Sequence, residues 1–296
     1  MNNTSNNEKK GIITAILGSL CLGLAGITDK LGAIASKQPF LYSTQTIFFA
    51  FCFTVVYSFL FKKKSVKDIY KKLDPTSWLQ LLLIGCLGVG IAILLRFIGL
   101  LQSTGTFASL SQVITVAFTG MLAHFFLKEK LSKGFWFLFL FIVIATYFVS
   151  VGSFSLVTIK SSDAFIVCAA LFVAIANIIA KLTVHKVNPI FVAVGEFFFG
   201  FLFLFFISIV FFFHSTPFSF PFFAILSGLF WAGCGISFNL ALNCIGATLT
   251  ASLFMFAPIV TLIIEATFLS YRFTPLQYGA SFLVVASGVL LVLKGK

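Results

Sequence analysis

Long apolar stretches follow one another along the chain and are separated by short polar segments. A helix needs about 20 apolar residues to cross the roughly 30 Å hydrocarbon core of a bilayer. Stretches of that length predict ten transmembrane helices at 11–35, 40–61, 77–100, 103–127, 134–153, 163–183, 189–213, 221–243, 247–269 and 274–293. Helices are expected because hydrocarbon offers no water to the bare edge of a sheet. The pattern therefore predicts an all-α integral membrane protein.

The composition agrees with a chain that lies mostly inside a bilayer. Of its 296 residues, 60% are hydrophobic and 9% are charged, whereas a soluble domain has about 45–50% apolar and about 25% charged residues. A soluble enzyme, a secreted disulfide scaffold and a disordered chain are excluded. The net charge of +12 does not indicate a nucleic-acid partner, because the lysines lie in short loops between apolar runs. The six cysteines show no metal or disulfide spacing, so we expect no metal and no cofactor.

The basic residues predict the orientation of the chain. If the N-terminus lies inside, fourteen lysines fall in the inner segments, whereas only Lys37, Lys160 and Arg272 fall in the outer segments. Such an excess on one side follows the positive-inside rule. We therefore expect both termini to be cytoplasmic, with residues 1–10 forming a polar cytoplasmic tail.

Short sequence matches recur between the two halves of the chain. The run Asp-Lys-Leu at 29–31 matches Ala-Lys-Leu at 180–182, at an offset of 151. The run Ala-Ser-Leu at 108–110 recurs at 251–253, at an offset of 143. Each match is weak by itself, but the matches keep the same order in both halves. Their common order indicates an internal repeat.

The repeat predicts two units of five helices, at 11–153 and 154–296. Because five is an odd number, the second unit must be inverted in the membrane relative to the first. Inverted repeats are a common construction of secondary transporters, in which the binding site lies near the midplane between the repeats. The sequence therefore favours a transporter, with ten transmembrane helices arranged as two inverted five-helix repeats.

Both halves also carry similar short motifs in the same order. These are Ala108-Ser109-Leu110 and Glu129-Lys130-Leu131-Ser132 in the first half, and Ala251-Ser252-Leu253, Pro258, Tyr271-Arg272-Phe273-Thr274, Gly279 and Gly288 in the second. With these motifs the chain resembles the EamA-like branch of the drug/metabolite transporter superfamily, over about 11–293. Two departures are that the first half lacks the proline and that Tyr271 stands where the family often has Glu.

The resemblance implies a secondary active transporter that exports small metabolites such as amino acids by alternating access, in the bacterial inner membrane. Members that take up nucleotides, sugars or cofactors leave uptake or exchange of such a metabolite as the alternative. A small-molecule substrate, the lipid bilayer and protons are the expected partners. An intramembrane enzyme is disfavoured because the three histidines are dispersed and the intramembrane acids lie on separate spans. We therefore expect no catalytic activity.

Four charged residues inside the spans are functional candidates, because a charge in hydrocarbon needs a partner or water. Lys30 and Lys181 lie near opposite interfaces, where each either anchors its helix by snorkelling or lines a vestibule. Arg96 lies comparably deep in the third span. Glu265 follows Pro258 in the ninth span, and we expect it either to couple protons or bind a substrate ammonium, or to make a structural hydrogen bond to a neighbouring helix, with Arg96 or Tyr271 as partner.

Five uncharged residues are candidates for lining a cavity: Gln112, Thr115, Asn177, Trp231 and Asn239. Gln112 and Thr115 share one helix face because they are three residues apart. Neutral polar groups beside an aromatic ring suit a zwitterionic or amphipathic metabolite. The alternative is that these side chains only join helices through hydrogen bonds, each contributing about 0.6 kcal/mol.

Overall fold

The computed structural model of the chain describes residues 2–36, 38–61, 73–127, 133–151, 161–184, 186–212 and 222–294. The motif 129–132 lies outside these residues, as do most of the loop lysines that predict the orientation. The predicted inner location of both termini therefore stays a prediction.

The described residues form helices throughout and contain no strand. The helices are α1 (Asn2–Ser36), α2 (Pro39–Phe61), α3 (Pro75–Leu83), the π-helical π1 (Ile84–Ile91), α4 (Ala92–Leu100), α5 (Gly105–Leu127), α6 (Lys133–Val151), α7 (Ser161–Thr183), α8 (Pro189–Phe212), α9 (Phe222–Phe254), α10 (Ala257–Phe268) and α11 (Pro275–Lys294). The predicted all-α class is thereby confirmed.

Seven helical stretches within the described residues are long and apolar enough to cross a membrane. They are Glu8–Ser36, Phe40–Leu60, Pro75–Leu100, Gly105–Phe126, Ser161–Thr183, Pro189–Val210 and Phe222–Ile245. Two shorter apolar helices, Gly134–Val149 and Ala257–Phe268, fall in the predicted fifth and ninth spans. These lengths fit an integral membrane protein, and the count of ten spans stays a prediction.

The break between the predicted eighth and ninth spans differs from expectation. We expected a tight turn at 244–246, but α9 continues as a helix to Phe254, and the chain turns at Met255 and Phe256. The reason is Pro258, which occupies the first turn of α10, where a missing backbone N–H leaves no hydrogen bond unmade. Proline therefore sets this boundary, whereas the glycine at 246 is accommodated inside the helix.

Most contacts between the two halves come in matching pairs: where one helix of the first half contacts a helix of the second, their equivalents in the opposite halves also contact each other. Helix α1 lies along α9, and α7 lies along α3, π1 and α4. Helix α2 contacts α9, just as α8 contacts α3 and π1, and α10 contacts α1, just as α5 contacts α7. Three further contacts between the halves, α2 with α8, α5 with α10 and α6 with α11, join helices that hold the same place in each half, and α11 also contacts α5.

Two glycines at equivalent places in the halves allow close approaches of this kind. A Cβ added at Gly85 in π1 would lie 2.6 Å from the Cβ of Phe199 and 2.8 Å from the carbonyl oxygen of Glu196, both in α8. A Cβ added at Gly228 in α9 would lie 2.6 Å from the Cβ of Phe49 and 2.8 Å from the carbonyl oxygen of Thr46, both in α2. Small residues at helix contacts in membranes let the backbones approach in this way.

We predict that Gly85→Ala and Gly228→Ala each destabilise the protein, because the added methyl group meets backbone atoms that cannot move without shifting a helix. The expected loss is about 1–3 kcal/mol, measured as the free energy of unfolding in detergent. The matched control is Gly279→Ala in α11, where an added Cβ would meet nothing within 4 Å. A loss at Gly279 as large as at the other two positions would contradict the close-approach explanation.

Candidate functional site

A buried ion pair joins α1 to α4. The Nε atom of Arg96 lies 3.2 Å from Oδ2 of Asp29. Asp29 is 0% exposed and Arg96 is 3% exposed. Two buried charges stay in a membrane interior only when each is paired and hydrogen-bonded. The pair is therefore the centre of the candidate site.

Helix α9 from the second half completes the surroundings of Asp29. The hydroxyl of Ser227 donates to Oδ1 of Asp29, and the indole Nε1 of Trp231 lies 3.2 Å from each carboxylate oxygen. Ser227 and Trp231 are four residues apart, so they face the same side of α9. The Trp231 ring also lies 5.6 Å from the guanidinium carbon of Arg96, within the range of a cation–π interaction.

Arg96 makes a second contact, with α5. Its Nη1 donates to the carbonyl oxygen of Ala108 at 2.7 Å, and the hydroxyl of Ser111 donates to the same oxygen at 2.6 Å. Its Nη2 is buried and has no hydrogen-bond partner in the described part of the chain. Arg96 thus connects α1, α4 and α5 and keeps one unused donor group.

Tyr42 fixes α2 against α1 beside the ion pair. It is 0% exposed, and its hydroxyl donates to the carbonyl oxygen of Thr28 at 3.0 Å. Its ring lies 5.0 Å from that of Phe97 in α4. A Cβ at Gly32 would lie 1.9 Å from the Tyr42 oxygen, so only glycine leaves room for this tyrosine. Helix α2 is thereby held against the helices that carry the two charges.

Two further charges hold the turn between α4 and α5. The Nζ of Lys30 donates to the carbonyl oxygen of Leu100 at 2.7 Å and to that of Ser103. The carboxylate of Glu265 in α10 accepts from the backbone N–H of Gly105 at 2.7 Å and of Thr106 at 2.8 Å. A cation at the C-terminus of a helix and an anion at the N-terminus each interact favourably with the helix dipole.

The contacts of Glu265 match the expected structural hydrogen bond to a neighbouring helix, but with different partners. Its carboxylate also accepts from the hydroxyl of Thr106 at 2.6 Å. The hydrogen bond between Tyr271 and Glu265 is a backbone one, in which the Tyr271 N–H donates to the Glu265 carbonyl at 3.1 Å. The pKa of the Tyr271 phenol is raised, mainly because the group is partly buried and also because the charges of Glu265 and Asp163 lie nearby. The predicted coupling role of Glu265 stays a prediction.

The hydrogen bonds that the structure gives to Thr115 and Asn239, two other predicted residues, do not involve the ion pair. The hydroxyl of Thr115 donates to the Ser111 carbonyl at 3.0 Å, and Nδ2 of Asn239 donates to the Gly235 carbonyl at 2.9 Å, each within its own helix. Gln112 and Asn177 are half-buried, and Lys181 is exposed at the end of α7. Of the nine residues predicted from the sequence, the structure brings Arg96 and Trp231 into contact. The functional role of Arg96 and the cavity-lining role of Trp231 stay predictions.

Sequence reasoning missed Asp29 and Ser227. Asp29 enters the sequence predictions only as the first residue of the Asp-Lys-Leu match at 29–31, and Ser227 is not among them. The missed signal was Arg96, because an arginine near the end of the third span requires a counter-ion at the same depth. Asp29, near the end of the first span, is an acid that meets this requirement.

Two grooves lie at helix seams away from the ion pair. One, of about 300 Å³, is bounded by the start of α1 and by α9 near Cys244. The other, of about 410 Å³, lies between α6 and α11 around Phe148 and Gly279. None of the five predicted cavity-lining residues borders either groove. Within the described residues, no group of three or more His, Cys, Asp or Glu side chains is placed to hold a metal ion.

Comparison with known proteins gives three findings. The sequence model of the EamA-like transporter family matches residues 9–151 and again 160–293. An uncharacterized transporter of Methanothermobacter thermautotrophicus is 26% identical, over 95% of this chain and 85% of that protein. A solved structure titled only as a crystal structure of a protein superposes with a TM-score of 0.65 over 98% of both chains. At 17% identity this last similarity concerns the fold alone.

We predict that Asp29→Asn costs about 3–5 kcal/mol of unfolding free energy, because it leaves the Arg96 charge buried and unpaired. The double variant Asp29→Asn/Arg96→Gln removes both charges and is expected to recover most of this loss. Unfolding of the purified protein in mixed detergent micelles measures both. Lys9→Gln, at an exposed lysine near the start of α1, is the control and should change stability by less than about 0.5 kcal/mol. Additive losses in the double variant would contradict a coupled pair.

Proposed function

The chain belongs to the EamA-like transporter family and is a membrane transporter, and we propose that it exports small metabolites such as amino acids by secondary active transport. In this proposal the substrate site lies between two inverted repeats and opens to one side of the membrane at a time. The lysine distribution supports cytoplasmic termini, and the family resemblance supports a bacterial inner membrane. The family resemblance supports the outward direction of transport.

Two observations support the inverted repeats. The family model matches the chain twice, once in each half, so each half carries the pattern of one unit. The helix contacts also come in matching pairs, such as α1 with α9 and α7 with α3, π1 and α4. Such pairs are expected if a two-fold axis in the membrane plane relates the halves.

The observation that carries the proposal is the buried ion pair between Asp29 and Arg96. The two charges come from the first half, whereas Ser227 and Trp231, which hydrogen-bond to Asp29, come from the second. A relative rotation of the halves would therefore change the contacts of both charges. Intramembrane charges that face protein commonly mark a substrate or ion pathway.

The chemistry of this cluster supports a small substrate with both polar and apolar parts. A carboxylate and a guanidinium lie side by side, and an indole ring borders both. These groups complement the opposite charges and the side chain of a zwitterionic metabolite. The five predicted lining residues, Gln112, Thr115, Asn177, Trp231 and Asn239, extend the proposed path towards the other face.

We predict saturable counterflow of amino acids in proteoliposomes that contain the purified protein. A panel of radiolabelled amino acids, each loaded unlabelled inside, should identify at least one exchanged substrate. Asp29→Asn/Arg96→Gln should abolish the exchange, because the site loses the guanidinium and the carboxylate that orients it, while Lys9→Gln, at an exposed lysine near the start of α1, should retain it. If neither amino acids nor panels of nucleotides, sugars and cofactors exchange, the carrier proposal is wrong.

We also propose that protons drive the transport, with Glu265 as the coupling group. The expected result is that an imposed pH gradient accelerates wild-type transport and that Glu265→Gln removes this acceleration while leaving counterflow. The matched control is Glu196→Gln in α8, at another carboxyl group inside a predicted transmembrane span. If the pH dependence is unchanged in Glu265→Gln, Glu265 does not couple protons, and its role is only to hydrogen-bond to α5.

A further inference from the structure

Arg96 uses only part of its hydrogen-bonding capacity within the described residues. Its Nε contacts Asp29 and its Nη1 contacts the Ala108 carbonyl, whereas Nη2 is buried without a partner there. Buried polar groups almost always have a partner, and a buried donor without one is destabilising, the more so when it is charged. This nitrogen is therefore where the site requires an acceptor.

The other charges around the site are already satisfied. Asp29 accepts from Ser227, Trp231 and Arg96, which occupy both of its carboxylate oxygens. Lys30 donates to carbonyl oxygens at the end of α4, and Glu265 accepts from the first amides of α5. Among these four charged groups, Arg96 has the buried nitrogen without a hydrogen-bond partner. Because this nitrogen is a donor, the missing partner is an acceptor.

We propose that Nη2 of Arg96 binds a carboxylate of the transported substrate and that Asp29 acts as a positioning residue for Arg96. This inference rests on the proposed transport function and deepens it by naming the group that the site recognises. The planar guanidinium matches the geometry of a carboxylate. Trp231 lies against the guanidinium and shares Asp29 with it, so the cation is oriented before the substrate arrives.

The charge of the site favours a carboxylate over a phosphate. Asp29 and Arg96 together are neutral, so each negative charge on the ligand adds to the charge of a buried region beside Asp29. A carboxylate adds one negative charge, and a phosphate dianion would add nearly two. A substrate that also carries an ammonium group would keep the site neutral, which lowers the cost of burying the carboxylate.

Trp231 offers a reporter for this binding. The chain has three tryptophans, and the other two, Trp78 and Trp136, are 38% and 41% exposed. The variant Trp78→Phe/Trp136→Phe therefore leaves Trp231, beside Arg96, as the only source of indole fluorescence. The full chain in lipid nanodiscs would be titrated with four matched compounds: leucine, 4-methylpentanoate, leucinamide and 3-methylbutylamine.

The two compounds with a carboxylate should change the Trp231 emission saturably. The two without it should bind about tenfold or more weakly, because they lose a hydrogen bond to a charged group. Arg96→Lys should weaken carboxylate binding by a similar factor, because it loses the planar fork. Asp29→Asn/Arg96→Gln should remove the preference altogether. Thermal shifts of the wild-type protein with the same compounds test the preference if the reporter variant does not fold.

Equal binding of carboxylates and amides, or no binding of either carboxylate, would overturn the inference and would indicate that Nη2 is hydrated. The counterflow experiment separates this result from failure of the transport function. Exchange without a carboxylate preference overturns only the recognition at Arg96. Carboxylate binding without exchange of any substrate contradicts the carrier and leaves the recognition site standing.

Discussion

A charge inside hydrocarbon must meet a partner, and this requirement organises the centre of the protein around Arg96. Its guanidinium contacts the Asp29 carboxylate on α1 and the Ala108 carbonyl on α5, and Trp231 on α9 lies against it. Four helices from both halves are fixed relative to one another by these contacts. An uncharged residue at position 96 would leave Asp29 without a counter-ion and would remove the reason for this arrangement.

The same constraint acts on the backbone where a helix ends inside the protein. The turn between α4 and α5 leaves carbonyl oxygens at one end and amide groups at the other, and neither has a partner within its helix. Lys30 satisfies the carbonyl side and Glu265 the amide side. Lys30 of α1 and Glu265 of α10 therefore cap the two helix ends, and the hydrogen bonds to Glu265 join the second half to the first at this turn.

Symmetry in packing coexists with asymmetry in charge. Gly85 and Gly228 stand at equivalent positions, at the offset of 143, and each brings its helix against the second helix of the opposite half. At the same offset Arg96 pairs with Asn239, and at the offset of 151 Asp29 pairs with Ala180. The ion pair therefore belongs to the first half alone, so only one of the two similar helix crossings carries a pair of opposite charges.

The sequence by itself determined the helical class and the membrane environment, because the length of an apolar run and the placement of lysines depend on residues close together in the chain. It also identified Arg96 and Trp231, whose types are unusual in hydrocarbon. Only the tertiary structure decided that Asp29 is the counter-ion of Arg96, 67 positions away, and that Ser227 joins them from 198 positions beyond Asp29. Helix rotation and packing select such partners, since an apolar stretch of the right length does not specify which of its faces meets which neighbour.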